Sequence, residues 1–427
     1  MQMNTQFKNL KNLGDKVDAC TRCGFCTYYC PIYHETREEG NVSRGKVTLV
    51  QETLKGNLEL NGDLLEKLQT CLLCKTCSVN CPSGVELDKI IVSARADYVN
   101  NKGLPLLERI VFRYILPRRK LFGWLLRLVA RMQRVLPRSD RSGMIRHLPE
   151  FARGLGRGRN VPRISNRFLR DRLPSVIHPP RGVPVRGRVC FFAGCGMDYV
   201  YPQDGLDSVH LLNRLGIEVV FPHDQGCCGA AVMLNGDFVT ARKMALETAR
   251  VFESCDTVLT GCATCGATLK GYRTYLGDTA ATQYRLDRLG DKVKDINEYI
   301  IDVLGMPGQT FQVRPEFKGM RITWHDPCHL GRYQGIWEQP RRILKALPNV
   351  EFVEMPDADR CCGMGGSFSI THYGLSQQIA QKKADGIRAS GADLVVTDCP
   401  GCLVQLNDIM LKNGLPQQAI HIAHLLA

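Results

Sequence analysis

The spacing of apolar positions changes character along the chain. From Ser43 to Gln51 apolar groups recur at helical intervals, and the pattern predicts a helix with Ser43 as N-cap; residues 61–69 predict another. Between 109 and 138, Leu121, Trp124, Leu125, Leu128 and Met132 fall on one helical face and Arg127, Arg131 and Arg134 on another. Beyond 185, short apolar runs alternate with helical ones. One series predicts strands at 188–193, 217–221 and 257–260 around helices at 204–215 and 237–253. A second predicts strands at 320–324, 350–354 and 392–397 around helices at 339–346 and 372–389. Strands alternating with helices imply parallel sheets with covered faces, so both series read as α/β units.

Cysteine positions show that these two series are copies. Cys195, the pair Cys227-Cys228, then Cys262 and Cys265 recur as Cys328, the pair Cys361-Cys362, then Cys399 and Cys402. The intervals are 31 and 33 residues in the first copy and 32 and 36 in the second. Each pair precedes a glycine, and every cysteine of the set falls in a loop after a strand, where α/β folds place ligand sites. Two adjacent thiolates bite poorly on a single tetrahedral iron and suit neighbouring irons better; Gly229 and Gly363 let the backbone come close. The competing reading is a vicinal disulfide or buried free thiols. Cys190 and Cys255 stand outside the repeat and read as small buried hydrophobes. His325 and His329 flank Cys328 and either hydrogen-bond that site from behind or cap the loop.

The N-terminal part carries a second repeat, Cys20-x-x-Cys23-x-x-Cys26-x-x-x-Cys30-Pro31 and Cys71-x-x-Cys74-x-x-Cys77-x-x-x-Cys81-Pro82. This is the spacing of bacterial ferredoxins, in which three thiolates of a run wrap one cubane and the fourth reaches the other. Cys20, Cys23, Cys26 and Cys81 are therefore assigned to one [4Fe–4S] cluster, and Cys71, Cys74, Cys77 and Cys30 to a second. A zinc ribbon takes four ligands and leaves the paired x-x-x-Cys-Pro without a role.

Composition narrows the class. Twenty cysteines in 427 residues exceed ordinary usage, yet the first residues hold no apolar signal-like stretch, so metal-bound cytoplasmic thiols are expected over a secreted disulfide scaffold. No apolar run of eighteen residues predicts a membrane span. The net charge of +14 is local: residues 102–172 hold 19 Lys and Arg against Glu108, Asp140, Glu150 and Asp171, whereas residues 1–101 hold 12 of each sign. A basic amphipathic helix with a tryptophan suits a membrane surface or a partner, and neutralising Arg118, Arg119, Arg127 and Arg131 is expected to weaken that association; the competing reading packs its apolar side on the protein or a partner subunit and leaves a solvated charged face. Residues 149–184, including Gly154-Leu155-Gly156-Arg157-Gly158-Arg159, read as a linker; no strand runs into these glycines, so they are no dinucleotide loop. Nucleic acid is not an expected partner, because no recognised module or interleaved aromatic accompanies the charge.

Two ferredoxin runs followed by two complete Cys-Cys-Gly units resemble the iron–sulfur subunits of glycolate oxidase, D-lactate dehydrogenase and anaerobic glycerol-3-phosphate dehydrogenase, and the catalytic subunit of membrane-type heterodisulfide reductase. The N-terminal frame resembles the ferredoxin insert of succinate-dehydrogenase-type subunits. The resemblance covers the chain except the connector. It implies an α+β and α/β fold: a helical two-cubane ferredoxin-like domain at 1–101, a basic connector at 102–184, and duplicated cysteine-rich domains at 185–310 and 311–427 in a pseudo-two-fold relation. It implies one or two further [4Fe–4S] clusters, noncubane in the heterodisulfide reductases, on Cys195, Cys227, Cys228, Cys262 and Cys265 and on Cys328, Cys361, Cys362, Cys399 and Cys402. Some glycolate oxidase subunits lack part of the last Cys-x-x-Cys; this chain keeps it, which leans towards the lactate or glycerol-phosphate type or towards disulfide chemistry. No flavin site of its own is found. The expected role is electron transfer from an FAD-containing hydroxy-acid dehydrogenase subunit to a quinone, a cytochrome or a ferredoxin-like carrier, in the cytoplasm and peripheral to the membrane. The alternative is reduction of a thiol disulfide at a noncubane cluster.

Overall fold

The computed structural model describes residues 7–133, 144–145, 158–306 and 310–426. Arg134 and residues 149–157 of the arginine-rich stretch lie outside the described residues.

The N-terminal part is helical. Helices α1 (Ser43–Leu54), α2 (Gly62–Gln69) and α3 (Leu87–Lys102) frame the two cysteine runs. Asn61 caps α2 by accepting from the Leu64 N–H at 3.0 Å. Ser43 is not a cap: Val42 occupies that position, and Ser43 is the first helical residue with its hydroxyl turned to Cys77. Ile90, Ile91 and Ala94 make α3 a buried strut, and its Arg95 reaches across to donate to the Leu234 carbonyl at 2.9 Å. After α3, the connector forms α4 (Arg119–Met132).

Among the described residues the strands form two sheets. The first orders β1 (Val176–Ile177), β3 (Ile217–Val220), β2 (Gly187–Phe191), β4 (Val258–Thr260) and β5 (Val293–Asp295); the second orders β7 (Glu351–Phe352), β6 (Arg321–Trp324), β8 (Leu394–Thr397) and β9 (Gln418–His421). All pairings are parallel except β1 with β3. With β1 set aside, the two strand orders are the same. Every residue of β4 and β8 is buried, as sheets covered on both faces require. The edge strands β5 and β9 were not legible in the pattern, because neither carries an apolar run. The stretch read as linker does more than link. Its β1 edges the first sheet, Phe168 and Leu169 are buried, and the Asn160 N–H donates to Asp408 of the second copy at 2.9 Å.

The helices of the first copy are α5 (Pro202–Arg214), α6 (Phe238–Val251), α7 (Ala263–Tyr275) and α8 (Ala280–Lys292); those of the second are α9 (Cys328–Gln334), α10 (Glu338–Lys345), α11 (Tyr373–Ser390), α12 (Pro400–Lys412) and α13 (Ile422–Leu426). The copies pack by exchange. The end of the first, residues 296–303, lies on α10, while the end of the second, α13, lies on α5. The Asn297 amide donates to Asp398, just before Cys399, at 2.9 Å; His421 bonds the Gly261 carbonyl, just before Cys262, at 2.7 Å. Each copy thus closes over the Cys-x-x-Cys turn of the other, the reciprocity expected of a two-fold. Arg314 and His424 both meet the buried carboxylate of Asp207, each at 2.6 Å, and extend the seam.

Candidate metal centres

The two N-terminal runs share a backbone shape that their sequences do not share. Arg22 and Gly24 flank Cys23 with positive φ, and Leu73 and Lys75 flank Cys74 in the same way, at 52° and 62°. A left-handed conformation costs a side-chain-bearing residue about 1 kcal/mol or more, so its recurrence marks a turn held open by what it encloses. Such turns aim successive N–H groups inwards, towards negative charge. One cavity is lined by Cys30, Cys71, Cys74 and Cys77, a second by Cys20, Cys23, Cys26 and Cys81, with Cys77 on the border of both. Each run therefore contributes its last cysteine to the other's cavity. Burial and the neighbouring thiols of Cys74 and Cys71 push Cys30 up to about 12, and burial raises Cys77 well above its usual range. Four thiols this close, one of them buried and three half-buried, repel one another's charge and take up thiolate form together only around a cation, which is what an iron core supplies. Lys46 and Arg95, both almost fully buried, stand beside Cys71 and offset that charge.

In the duplicated half, the adjacent cysteines touch each other and each also meets a different further thiol. Cys227 lies 3.8 Å from Cys195 and Cys228 lies 3.6 Å from Cys265. In the second copy Cys361 faces Cys328, and Cys362 lies 3.7 Å from Cys402. The five thiols of each copy thus gather as one connected group. Cys262 and Cys399 are the N-caps of α7 and α12, whose free N–H groups favour negative charge. Gly194, at φ +61°, has no alternative, because a Cβ there would meet the Cys265 sulfur at 2.6 Å. Gly363, at φ +87°, is equally fixed by the Ser376 carbonyl at 2.6 Å.

The four sites are not separate. Cys74 meets Cys361, and contact with that thiol together with burial drives Cys74 well above its usual range. Cys262 meets Cys399, to which the Thr264 hydroxyl also lies close, at 3.4 Å. The ferredoxin sites therefore adjoin the second copy, and the second copy adjoins the first.

The surroundings include groups that spacing could not reveal. Lys383, 1 % exposed, donates to the Asp357 and Ala358 carbonyls at 2.6 and 3.0 Å beside Cys362 and Cys361, and burial pushes it down to about 8. Arg332 is buried between Cys74 and Asp359. His329 stacks on Tyr333 with Nδ1 3.7 Å from the Cys328 sulfur. His325 is fully buried with both ring nitrogens unpartnered among the described residues, and burial pushes it down to about 3, so the ring is neutral. Cys190 and Cys255 are buried as expected but are not free: they form a disulfide joining the end of β2 to the loop before β4. Their partnership was hidden because 65 residues separate them.

This donor set, two ferredoxin runs and twin five-cysteine sites with compensating cations, defines an iron–sulfur protein of the oxidoreductases. A 4Fe-4S dicluster domain model matches residues 16–85, and a cysteine-rich domain model matches residues 189–270 and 322–407. The chain belongs to the family of glycolate oxidase iron–sulfur subunits. It is 31% identical to the probable glycolate oxidase iron-sulfur subunit of Bacillus subtilis over 100% of this chain and 96% of that one, and 27% identical to the glycolate oxidase iron-sulfur subunit of Escherichia coli over 91% and 89%. Lactate utilization protein A of a Geobacillus species is 35% identical over 56% of this chain and 98% of its own. A hypothetical protein from Helicobacter pylori shares the fold, with a TM-score of 0.51, 11% identity, and coverage of 99% of this chain and 76% of that one.

Proposed function

We propose that this subunit carries electrons one at a time from a partner flavoprotein, which oxidises a small 2-hydroxy acid such as glycolate or D-lactate, to a quinone, a cytochrome or another carrier. The partner and the substrate class are those that the glycolate oxidase and lactate utilization relatives suggest; the route is argued from this chain. Its carrying observation is the unbroken contact between thiols of successive sites, Cys74 with Cys361 and Cys262 with Cys399. We assign cubanes to Cys20, Cys23, Cys26 and Cys81 and to Cys30, Cys71, Cys74 and Cys77, and one further cluster to each five-cysteine set. In space their order is first cubane, second cubane, second copy, first copy, which is not their order in the chain.

Each end of this row approaches the surface. At one end Cys23 is exposed, with Phe25 57% and Tyr28 74% exposed beside it. At the other, Cys227 borders a cavity of about 570 Å³ that Arg118, Lys120 and Lys243 also line. Basic groups around a cluster also suit an anionic disulfide, and that cavity is the observation favouring a reductase as second reading. The relatives weigh for electron transfer.

The connector supports docking. In α4 two arginines are held against the protein while Arg131 stays exposed: Arg127 lies 4.5 Å over the Phe168 ring and bonds Asp171 at 2.9 Å, and Arg119 bonds the His223 carbonyl. The apolar side faces out, with Trp124 61% and Met132 59% exposed. Among the described residues no helix is long and apolar enough to cross a membrane. A membrane surface or a partner subunit fits this face.

The test is anaerobic purification from the native host, then addition of glycolate, D-lactate or glycerol 3-phosphate. Bleaching of the iron–sulfur absorbance by one of them, with flavin present, is expected. No bleaching by any, with reoxidation of reduced clusters by a thiol disulfide, would select the reductase.

A further inference from the structure

The two five-cysteine sites match in their thiols but not in what stands behind them. Strand β2 ends at Phe191 and β6 at Trp324, so the next residues, Phe192 and His325, are equivalent. Their backbones are held alike, Phe192 N–H donating to Leu259 at 2.7 Å and His325 N–H to Val396 at 3.0 Å. The Phe192 ring packs on Phe252 beside the turn that Cys265 touches. The His325 ring occupies the corresponding place, within 4.8 Å of the sulfurs of Cys362 and Cys402.

His325 is 1% exposed, and neither ring nitrogen has a hydrogen-bond partner among the described residues. The adjacent carboxylate is not free to serve it, since Asp326 is taken by Trp324 Nε1 at 2.8 Å and by Arg341 at 2.9 and 2.6 Å. Leaving a buried N–H unpaired forfeits its hydration with nothing in return. A polar ring would not be kept where its twin is phenylalanine unless something in the site accepted from it, and cluster sulfur is the acceptor nearest to hand. Hydrogen bonds to the sulfurs of an iron–sulfur cluster favour its reduced, more negative state.

We propose that a ring N–H of His325 hydrogen-bonds to sulfur of the second-copy cluster and holds that cluster at a higher reduction potential than its first-copy twin. His325 is thus a positioning and tuning residue, not a ligand, and it makes two sites of the same thiol pattern unequal steps on one route. The inference rests on the iron–sulfur reading of the second copy.

The test uses the anaerobically purified full chain and two variants, His325→Phe, which copies the first site, and His325→Gln, which keeps an N–H. Iron content, a redox titration followed by electron paramagnetic resonance, and pulsed detection of histidine nitrogen in ¹⁴N- and ¹⁵N-histidine-labelled protein are the readouts. Wild type is expected to show a weakly coupled histidine nitrogen on one cluster. His325→Phe should lose that signal, keep its iron, and lower one potential alone by about 59 mV or more, a tenfold change in a one-electron ratio; His325→Gln should recover part of the shift. Unchanged potentials with iron retained would overturn the proposal. So would loss of iron in both variants, or a strongly coupled nitrogen, each of which would make His325 a ligand. Wild-type protein lacking any second-copy cluster signal would overturn the iron–sulfur reading itself, a distinct failure.

Discussion

The thiol of Cys74, in the second ferredoxin run, faces the thiol of Cys361, in the second cysteine-rich copy, although the first copy lies between them in the chain. Leu72, Ile32, Phe368 and Ile379 form the small apolar cluster that holds the contact, and the Tyr333 hydroxyl ties it by donating to the Leu73 carbonyl at 2.9 Å. Replacing Cys361 and Cys362 by serine is expected to cut the row at its third site. Iron should fall from about 16 to about 12 per chain, the cubane signals should remain, and turnover should vanish. Iron analysis and spectroscopy of the anaerobic variant decide this; full iron with full turnover would refute the order.

The inward arginines of α4 change what mutation of the connector should do. Arg119 and Arg127 are spent on His223, Asp224, Asp171 and Phe168, so neutralising them is expected to affect stability more than docking, by under about 1 kcal/mol for such half-exposed pairs. Trp124→Ser with Leu128→Ser removes the outward apolar groups. At about 1.5–3 kcal/mol for each large side chain buried in a complex, the double variant should lose at least tenfold in association. Co-sedimentation with anionic vesicles and capture of the flavoprotein partner measure the two versions separately; neither changing would dismiss the face as a docking surface.

The disulfide between Cys190 and Cys255 closes a 65-residue loop. In the chain-entropy account such a loop contributes about 4 kcal/mol. Cys190→Ala together with Cys255→Ala should therefore lower the unfolding midpoint of the first copy, and mass spectrometry of unreduced protein should find the bridge. Free thiols at both positions in native protein would refute it.

His421 makes the seam between the copies sensitive to acid. Its Nδ1 accepts from the Ala423 N–H at 3.1 Å and its Nε2 meets the Gly261 carbonyl at 2.7 Å, so the buried ring is neutral, and burial pushes it down to about 4. The unfolded chain binds this proton near pH 6.5, the folded one near 4, so folding loses stability as pH falls through that window. The loss from pH 7 to 5 is about 2 kcal/mol. Thermal unfolding of wild type and His421→Gln should diverge across that range, the variant being flatter; parallel curves would place the acid sensitivity elsewhere.

The cysteine spacing carried most of what could be read in advance. It located both repeats, and the alternation of apolar runs located the inner strands, because fully buried strands such as β8 are continuous apolar segments. What escaped was set by distant partners. Strand β5 is Val293-Lys294-Asp295 and signals nothing by itself. Lys46, Lys383 and Arg332 look like surface residues until the fold buries them against thiols. Helix α4 turns its apolar side away from the protein, because Asp171 and Phe168, in a stretch without periodicity, hold Arg127 and the loop at His223 and Asp224 holds Arg119.

The exchange of ends between the copies also dictates an order of assembly. Synthesis delivers the ferredoxin runs and then all five cysteines of the first copy well before residues 418–426 emerge, and chains generally fold as they are made. Yet α13 and His421 are what cover α5 and the Cys262 turn. The Cys262 turn therefore lacks its cover until the second copy is nearly complete. On the proposed cluster assignment, that interval is when iron can reach the first site past the Cys262 turn.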